Sequence, residues 1–181
     1  MKRRLTILTL TTLAAVALIG VVWTAPSPAF AGGATQISGV AVFDAVPPEP
    51  PACPIEGTDY AGADYALVMT GNLEGCLYTF VDQPPDSSPS GTYRETGTET
   101  FVGSYYSDDG SLNGSGTFET TYRFEAKYED VADPATEIFG RCQHPIVEGS
   151  GTGIFEGVSG QLFFKDDVES GTFLYRGHLR Y

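Results

Sequence analysis

Positive charge is what this chain has least of. Its 181 residues hold 10 Lys and Arg against 23 Asp and Glu, a formal charge of −13. A phosphate backbone is gripped by clustered Lys and Arg, and beyond the Lys2-Arg3-Arg4 start no such cluster exists, so nucleic acid is excluded as a partner. Histidine is almost missing, with only His144 and His178, and there is no G-x-S-x-G elbow; a serine hydrolase therefore has no support. Cysteine is limited to Cys53, Cys76 and Cys142, with no C-x-x-C pair and only His144 near a Cys. No zinc site is expected from such a set, nor any other metal or cofactor. Asp108, Asp109 and Asn113 resemble calcium ligands in type, but they do not fall at the alternating positions of a calcium loop, and no helix flanks them.

Helical pattern is confined to the beginning. Lys2, Arg3 and Arg4 precede an apolar run from Leu5 to Trp23, Pro26 and Pro28 follow, and Ala29-Phe30-Ala31 fits a cleavage site. This order predicts a signal peptide over residues 1–31 and a secreted protein. The run approaches membrane-spanning length, which makes an uncleaved anchor the rival reading. Cleavage leaves 150 residues, 32–181, with 7 Lys and Arg against 23 Asp and Glu, a formal charge of −16. That length suits a single domain with its own core, and that charge argues against an anionic membrane surface. An oxidising compartment predicts one disulfide among the three cysteines. Spacing does not choose among the three pairings. Cys53 sits in a proline-rich loop and is expected in the bond, leaving Cys76 or Cys142 buried and free.

What is abundant is glycine, threonine and aromatics, interrupted by turn signals at short intervals, the pattern of an all-β domain. Eight strands are expected: Gln36–Asp44, Asp64–Thr70, Glu74–Val81, Gly91–Val102, Gly116–Tyr128, Glu137–Val147, Gly160–Asp167 and Gly171–Tyr181. Eight is enough to close a small antiparallel barrel with no open edge. Ser-Gly-Thr begins at Ser90, Ser115, Ser150 and Ser170, spacings of 25, 35 and 20 that are too uneven for a repeat architecture. Pro47–Asp64 and Asp82–Ser90 read as irregular loops, and the stretch from Tyr105 to Gly116 as a hairpin tip.

Alternation assigns strand faces. Phe118, Tyr122, Phe124, Ala126 and Tyr128 share one side of their strand, with Glu119, Arg123, Glu125 and Lys127 opposite. Phe173, Tyr175, Leu179 and Tyr181 similarly oppose Arg176, His178 and Arg180. The strand Gly91–Val102 is different. Tyr93, Glu95, Gly97, Glu99 and Phe101 share one face, and Arg94, Thr96, Thr98 and Thr100 the other. With the first face inward, Glu95 and Glu99 enter the barrel, where desolvation favours acid–base work near neutrality; they are the candidate catalytic residues. With the threonine face inward, both carboxylates are solvated; a third reading pairs one of them with Arg141 or Arg176 as a structural bridge. Arg141-Cys142-Gln143-His144-Pro145 is the densest polar cluster, either a strand-edge bend fixed by Pro145 or a polar group at the barrel mouth with His144 as proton carrier. Candidate ligand-binding residues are accordingly Tyr93, Phe101, Arg141 and His144. Gly151-Thr-Gly153-Ile-Phe-Glu-Gly157 mimics a dinucleotide loop but lacks the following helix, so it is expected to turn tightly and close one end of the barrel.

That glycine turn also carries a likeness. G-T-G-I-F-E-G-V-S-G-Q-L-F-F, followed by T-F-L-Y-R-G, resembles the G-x-G-x-F-x-G-x-x-G-Q turn, strand and closing Y-x-x-G strand of the allene oxide cyclase barrels, relatives of the dirigent proteins. It spans about thirty residues. The resemblance implies a calycin-like eight-stranded antiparallel barrel, often a homo-oligomer, with an apolar cavity that folds an unstable molecule for ring closure. Dirigent relatives similarly orient reactive substrates. The corresponding first strand, I-S-G-V-A-V-F-D-A-V, offers Asp44 and no Asn, so no catalytic residue is carried over. Two functions stand at this point. One is a secreted barrel enclosing a small apolar molecule and steering its cyclisation or coupling. The other is a non-catalytic extracellular interaction barrel, filled by its own aromatics.

Overall fold

A computed structural model describes residues 33–44, 52–82 and 86–181; the expected signal peptide lies outside them. The described strands are β1 (Thr35–Phe43), β2 (Tyr65–Gly71), β3 (Leu73–Val81), β4 (Asp86–Ser87), β5 (Thr92–Tyr106), β6 (Leu112–Tyr128), β7 (Glu137–Pro145), β8 (Ser159–Asp167) and β9 (Thr172–Arg180). All but β4 form one antiparallel ring in which each strand pairs with its chain neighbours. β3 passes directly to β5 in space, from Leu73↔Tyr105 to Val81↔Gly97. β1 and β9 close the cylinder from Thr35↔Leu179 to Ala41↔Phe173. The fold is the expected closed eight-stranded barrel, and closure removes the unpaired edges an open sheet would expose.

Two details differ from expectation. β4 falls within the stretch expected to be loop and lies outside the ring, flanking β5 through Asp86↔Arg94 and Ser87↔Tyr93. The hairpin tip is also shorter, because pairing continues to Ser104↔Ser115 and past a bulge at Tyr105/Tyr106. The tip is then a tight turn in which Asp109 Oδ1 accepts the Ser111 N–H at 2.9 Å.

Period-two alternation explains the core. On β6, Phe118, Thr120, Tyr122 and Ala126 are buried and Glu119, Thr121 and Arg123 exposed. The two ends of the cylinder are treated differently. At the end holding the β5–β6 tip, the β7–β8 connection folds back and inserts Phe155 (0 % exposed) against Phe101 and Phe118, with ring centroids 5.7 Å and 5.1 Å away. Thr152 anchors that connection, its N–H donating to the Thr117 carbonyl at 2.9 Å. The glycine turn thus closes the barrel's end, as expected. Tyr175 adds to this closure from β9, its hydroxyl accepting the Leu73 N–H at 2.9 Å.

Cys53 and Cys76 form the disulfide, and Cys142 is free and buried. The bond ties the β1–β2 connection onto the outer face of β3. There Cys53, Ala66 and Tyr78 make a small second core, and Tyr60 stacks on Tyr78 at 4.2 Å.

Candidate functional site

The opposite end of the barrel is not filled. A cavity of about 540 Å³ enters there between the ends of β1, β2, β5, β6, β7, β8 and β9, with Val131 and Pro134 of the β6–β7 connection at its rim. Aromatic rings make up much of its wall, including Phe43, Tyr65, Phe124, Phe164 and Phe173. Among the described residues its carboxylate and cationic lining is wholly acidic: Glu95, Glu99, Glu137 and Asp166, with no Lys or Arg.

β5 turns its Tyr93/Phe101 face inward, which brings both candidate carboxylates inside. Glu99 is 2 % exposed. It accepts from Thr79 Oγ1 of β3 at 3.3 Å, from Thr120 Oγ1 of β6 at 2.7 Å, and from His144 Nδ1 of β7 at 2.5 Å. Burying a carboxylate is tolerated when its lone pairs are satisfied in this way. Because Nδ1 donates to Glu99, Nε2 is left as the working atom of the imidazole. His144 lines the cavity, and its Nε2 is buried with no partner among the described residues. The ring itself is clamped by Phe164, 4.4 Å away, and by Tyr122, 6.1 Å away. The site therefore holds an oriented imidazole whose second nitrogen is unpartnered among the described residues.

Glu95 has different company. Its carboxylate accepts from Tyr122 at 2.7 Å, Tyr93 at 2.7 Å and Tyr65 at 3.4 Å. Gly97 makes this cage feasible, since a Cβ there would stand 2.6 Å from the Tyr122 ring. Burial, then the neighbouring Glu95, raises the hydroxyl pKa of Tyr65, Tyr93 and Tyr122 well above the ordinary tyrosine value. These phenols are donors to Glu95. Four residues along a strand separate Glu95 and Glu99 by about 13 Å, and the two have separate donor sets.

A carboxyl pair in mutual contact does exist, elsewhere. Asp166 of β8 meets Glu137 of β7. Desolvation first, then the hydrogen bond to Glu137, pushes Asp166 up to about 8. Tyr128, 3.5 Å from Glu137, is pushed up to about 12 by burial and by these acids. The Cys142 thiol beside them is raised as well, by burial and then by Glu99 and Asp166; it is an inert thiol in this setting.

Among the sequence candidates, Glu95, Glu99, Tyr93 and His144 line the cavity. Phe101 does not. It lies deeper along β5 and belongs to the aromatic plug with Phe118 and Phe155. Arg141 is also placed elsewhere: alternation on β7 turns Cys142 and His144 inward and Arg141 outward. Its guanidinium pairs with Glu125 at 3.1 Å on the exposed surface, not with Glu95 or Glu99. Asp166, Glu137, Tyr65, Thr79 and Thr120 were not among the candidates. Asp166 was within reach, because Leu162, Phe164 and Asp166 alternate inward on one strand; Thr79 and Thr120 look like any β-strand threonine.

Comparison with protein-family models, with curated proteins and with solved structures finds no match to this chain.

Proposed function

We propose that the barrel is a secreted capture protein. It encloses a small, largely apolar molecule at its open end, and the Glu99–His144 pair moves a proton on that molecule to steer a cyclisation or isomerisation. One observation carries this: His144 lines an aromatic cavity with its Nε2 buried and without a partner among the described residues, while Glu99 fixes the other nitrogen. A base held by a carboxylate acts as proton acceptor and then donor, and an enclosing apolar wall favours one shape of a flexible guest. The likeness of the glycine turn to the cyclase barrels supports the same function. The Cys53–Cys76 bond supports export to an oxidising compartment.

The alternative, a barrel filled by its own side chains, describes only the half closed by Phe101, Phe118 and Phe155. The cavity at the other end favours capture. Native mass spectrometry of the purified protein, followed by denaturing release, tests it. A discrete small-molecule mass lost on denaturation is expected, and its disappearance in a Leu67→Trp variant that fills the cavity. Bare protein that also fails to take up any apolar molecule would overturn capture.

A further inference from the structure

We propose that the guest carries a basic nitrogen, seated as an ammonium between Glu137 and Asp166 at the open end, with its apolar body directed toward Glu99 and His144. This rests on the capture function above and names the class of molecule captured.

The two carboxyls come from adjacent strands and converge over Gly140. A Cβ at that position would lie 2.1 Å from Asp166 Oδ2 and 2.7 Å from Glu137 Oε1. A side chain at that position would have to displace one or both carboxyls. Apart from the contact between the two carboxyls, Glu137 Oε1 and Asp166 Oδ1 are buried with no hydrogen-bond partner among the described residues. Buried acceptors without donors are costly, and an ammonium with several N–H groups supplies donors. Among the described residues no Lys or Arg lines the cavity to do so; Lys165, next to Asp166 in sequence, is exposed, and Arg141 is engaged with Glu125 outside. Tyr128 and Phe173 also line the cavity, and aromatic rings of this kind attract cations. A carboxylate-bearing guest meets the opposite situation, four acidic side chains and no counter-charge.

The seat now holds a proton instead. Asp166 is kept protonated up to about 8 by desolvation and by Glu137. Facing it are Glu137 and Cys142 from β7, Tyr128 from β6 and Phe173 from β9, with Tyr93 and Glu95 of β5 also on the cavity wall. Cys142 and Tyr128 are shifted upward, so they stay neutral across the range in which Asp166 titrates. An arriving ammonium displaces the Asp166 proton to solvent and takes its place, so affinity rises with pH until Asp166 is already ionised.

Three probes with one aromatic body separate charge from shape: 2-phenylethylammonium, 2-phenylethanol and phenylacetate, each titrated calorimetrically into the purified protein. The ammonium is expected to bind at least about tenfold tighter than the alcohol, with phenylacetate weakest. Titration in two buffers of different ionisation heat is expected to show proton release below pH 8 that fades above it. Asp166→Asn and Glu137→Gln are each expected to reduce the ammonium-to-alcohol ratio to about threefold or less. Alcohol binding in the same variants reports that the cavity is intact; should one variant not fold, the other and the proton release of the unaltered protein decide. Equal binding of ammonium and alcohol, or a preference that survives both substitutions, overturns the amine assignment and leaves capture standing. Failure of all three probes together with an apolar dye overturns capture and the amine assignment with it.

Discussion

Glu99 Oε2 and His144 Nδ1 stand 2.5 Å apart although β6 runs between their strands, and Thr120 of β6 donates to the same oxygen at 2.7 Å. One carboxylate therefore ties three consecutive strands together inside the wall. It also leaves His144 with a single free nitrogen.

Removing that carboxylate separates structure from chemistry. Glu99→Ala strands the Thr79 and Thr120 hydroxyls and the imidazole without an acceptor, and is expected to lower stability by about 3 kcal/mol or more. Glu99→Gln keeps a carbonyl acceptor and is expected to fold with a smaller loss. Any turnover found for the protein should nevertheless fall at least about a hundredfold in Glu99→Gln, because the proton carrier is no longer held as a base. Denaturant midpoints and single-turnover rates on the two variants check this; a glutamine variant with full turnover contradicts it.

The open end predicts an unusual pH dependence of stability. Asp166 has its carboxyl raised from the ordinary 3.8 to about 8 in the folded barrel. A raised acid favours the folded state while protonated, so its contribution is full below 3.8 and is lost as pH climbs to about 8. Urea midpoints measured at pH 5 and pH 8 should fall for the natural sequence and change less for Asp166→Asn. Identical slopes in the two proteins would contradict the assignment.

The same sign applies to the phenols at higher pH. Tyr175 and Tyr181 are raised to about 12, and the hydroxyls around Glu95 lie higher still. Their stabilising effect is present below the ordinary value of 10.0 and is lost as pH rises through the shifted values. Tyrosinate absorbance should therefore appear in two stages: exposed tyrosines first, then a cooperative step coincident with unfolding. A single smooth titration near the ordinary value would contradict the buried cage.

At the closed end, Phe155→Ala should cost about 3–5 kcal/mol, the usual range for emptying an aromatic core position. Binding at the other end should persist while the protein is folded. Reduction of Cys53–Cys76, whose partners are 23 positions apart in sequence, should cost about 3 kcal/mol by chain entropy. Thiol labelling of native protein should leave Cys142 untouched. Rapid labelling of Cys142 in the folded state would be inconsistent with its burial.

Much of this architecture was readable beforehand. Turn signals between threonine- and aromatic-rich runs located all eight ring strands, and alternation gave the inward sides of β6 and β9, because a barrel wall with one dry face writes period two directly into the sequence. The β7–β8 plug was readable from its glycines. β4 was not, since Asp86 and Ser87 pair through backbone atoms and carry no apolar pattern. Within the site, β5 announced Glu95 and Glu99 by placing them in phase with Tyr93 and Phe101. Their partners were hidden, because contact between β5 and β7 depends on register across β6 and not on spacing along the chain. Arg141 was misplaced for the complementary reason: proximity to His144 in sequence puts it on the opposite face of the same strand.

The most direct measurement is a fluorescence titration with an environment-sensitive apolar dye, run on the natural sequence and on Leu67→Trp. Capture predicts saturable binding at one site per chain in the first and none in the second, with both proteins equally folded. Saturable binding that is unaffected by filling the cavity, or no binding to either protein, would contradict an enclosed guest.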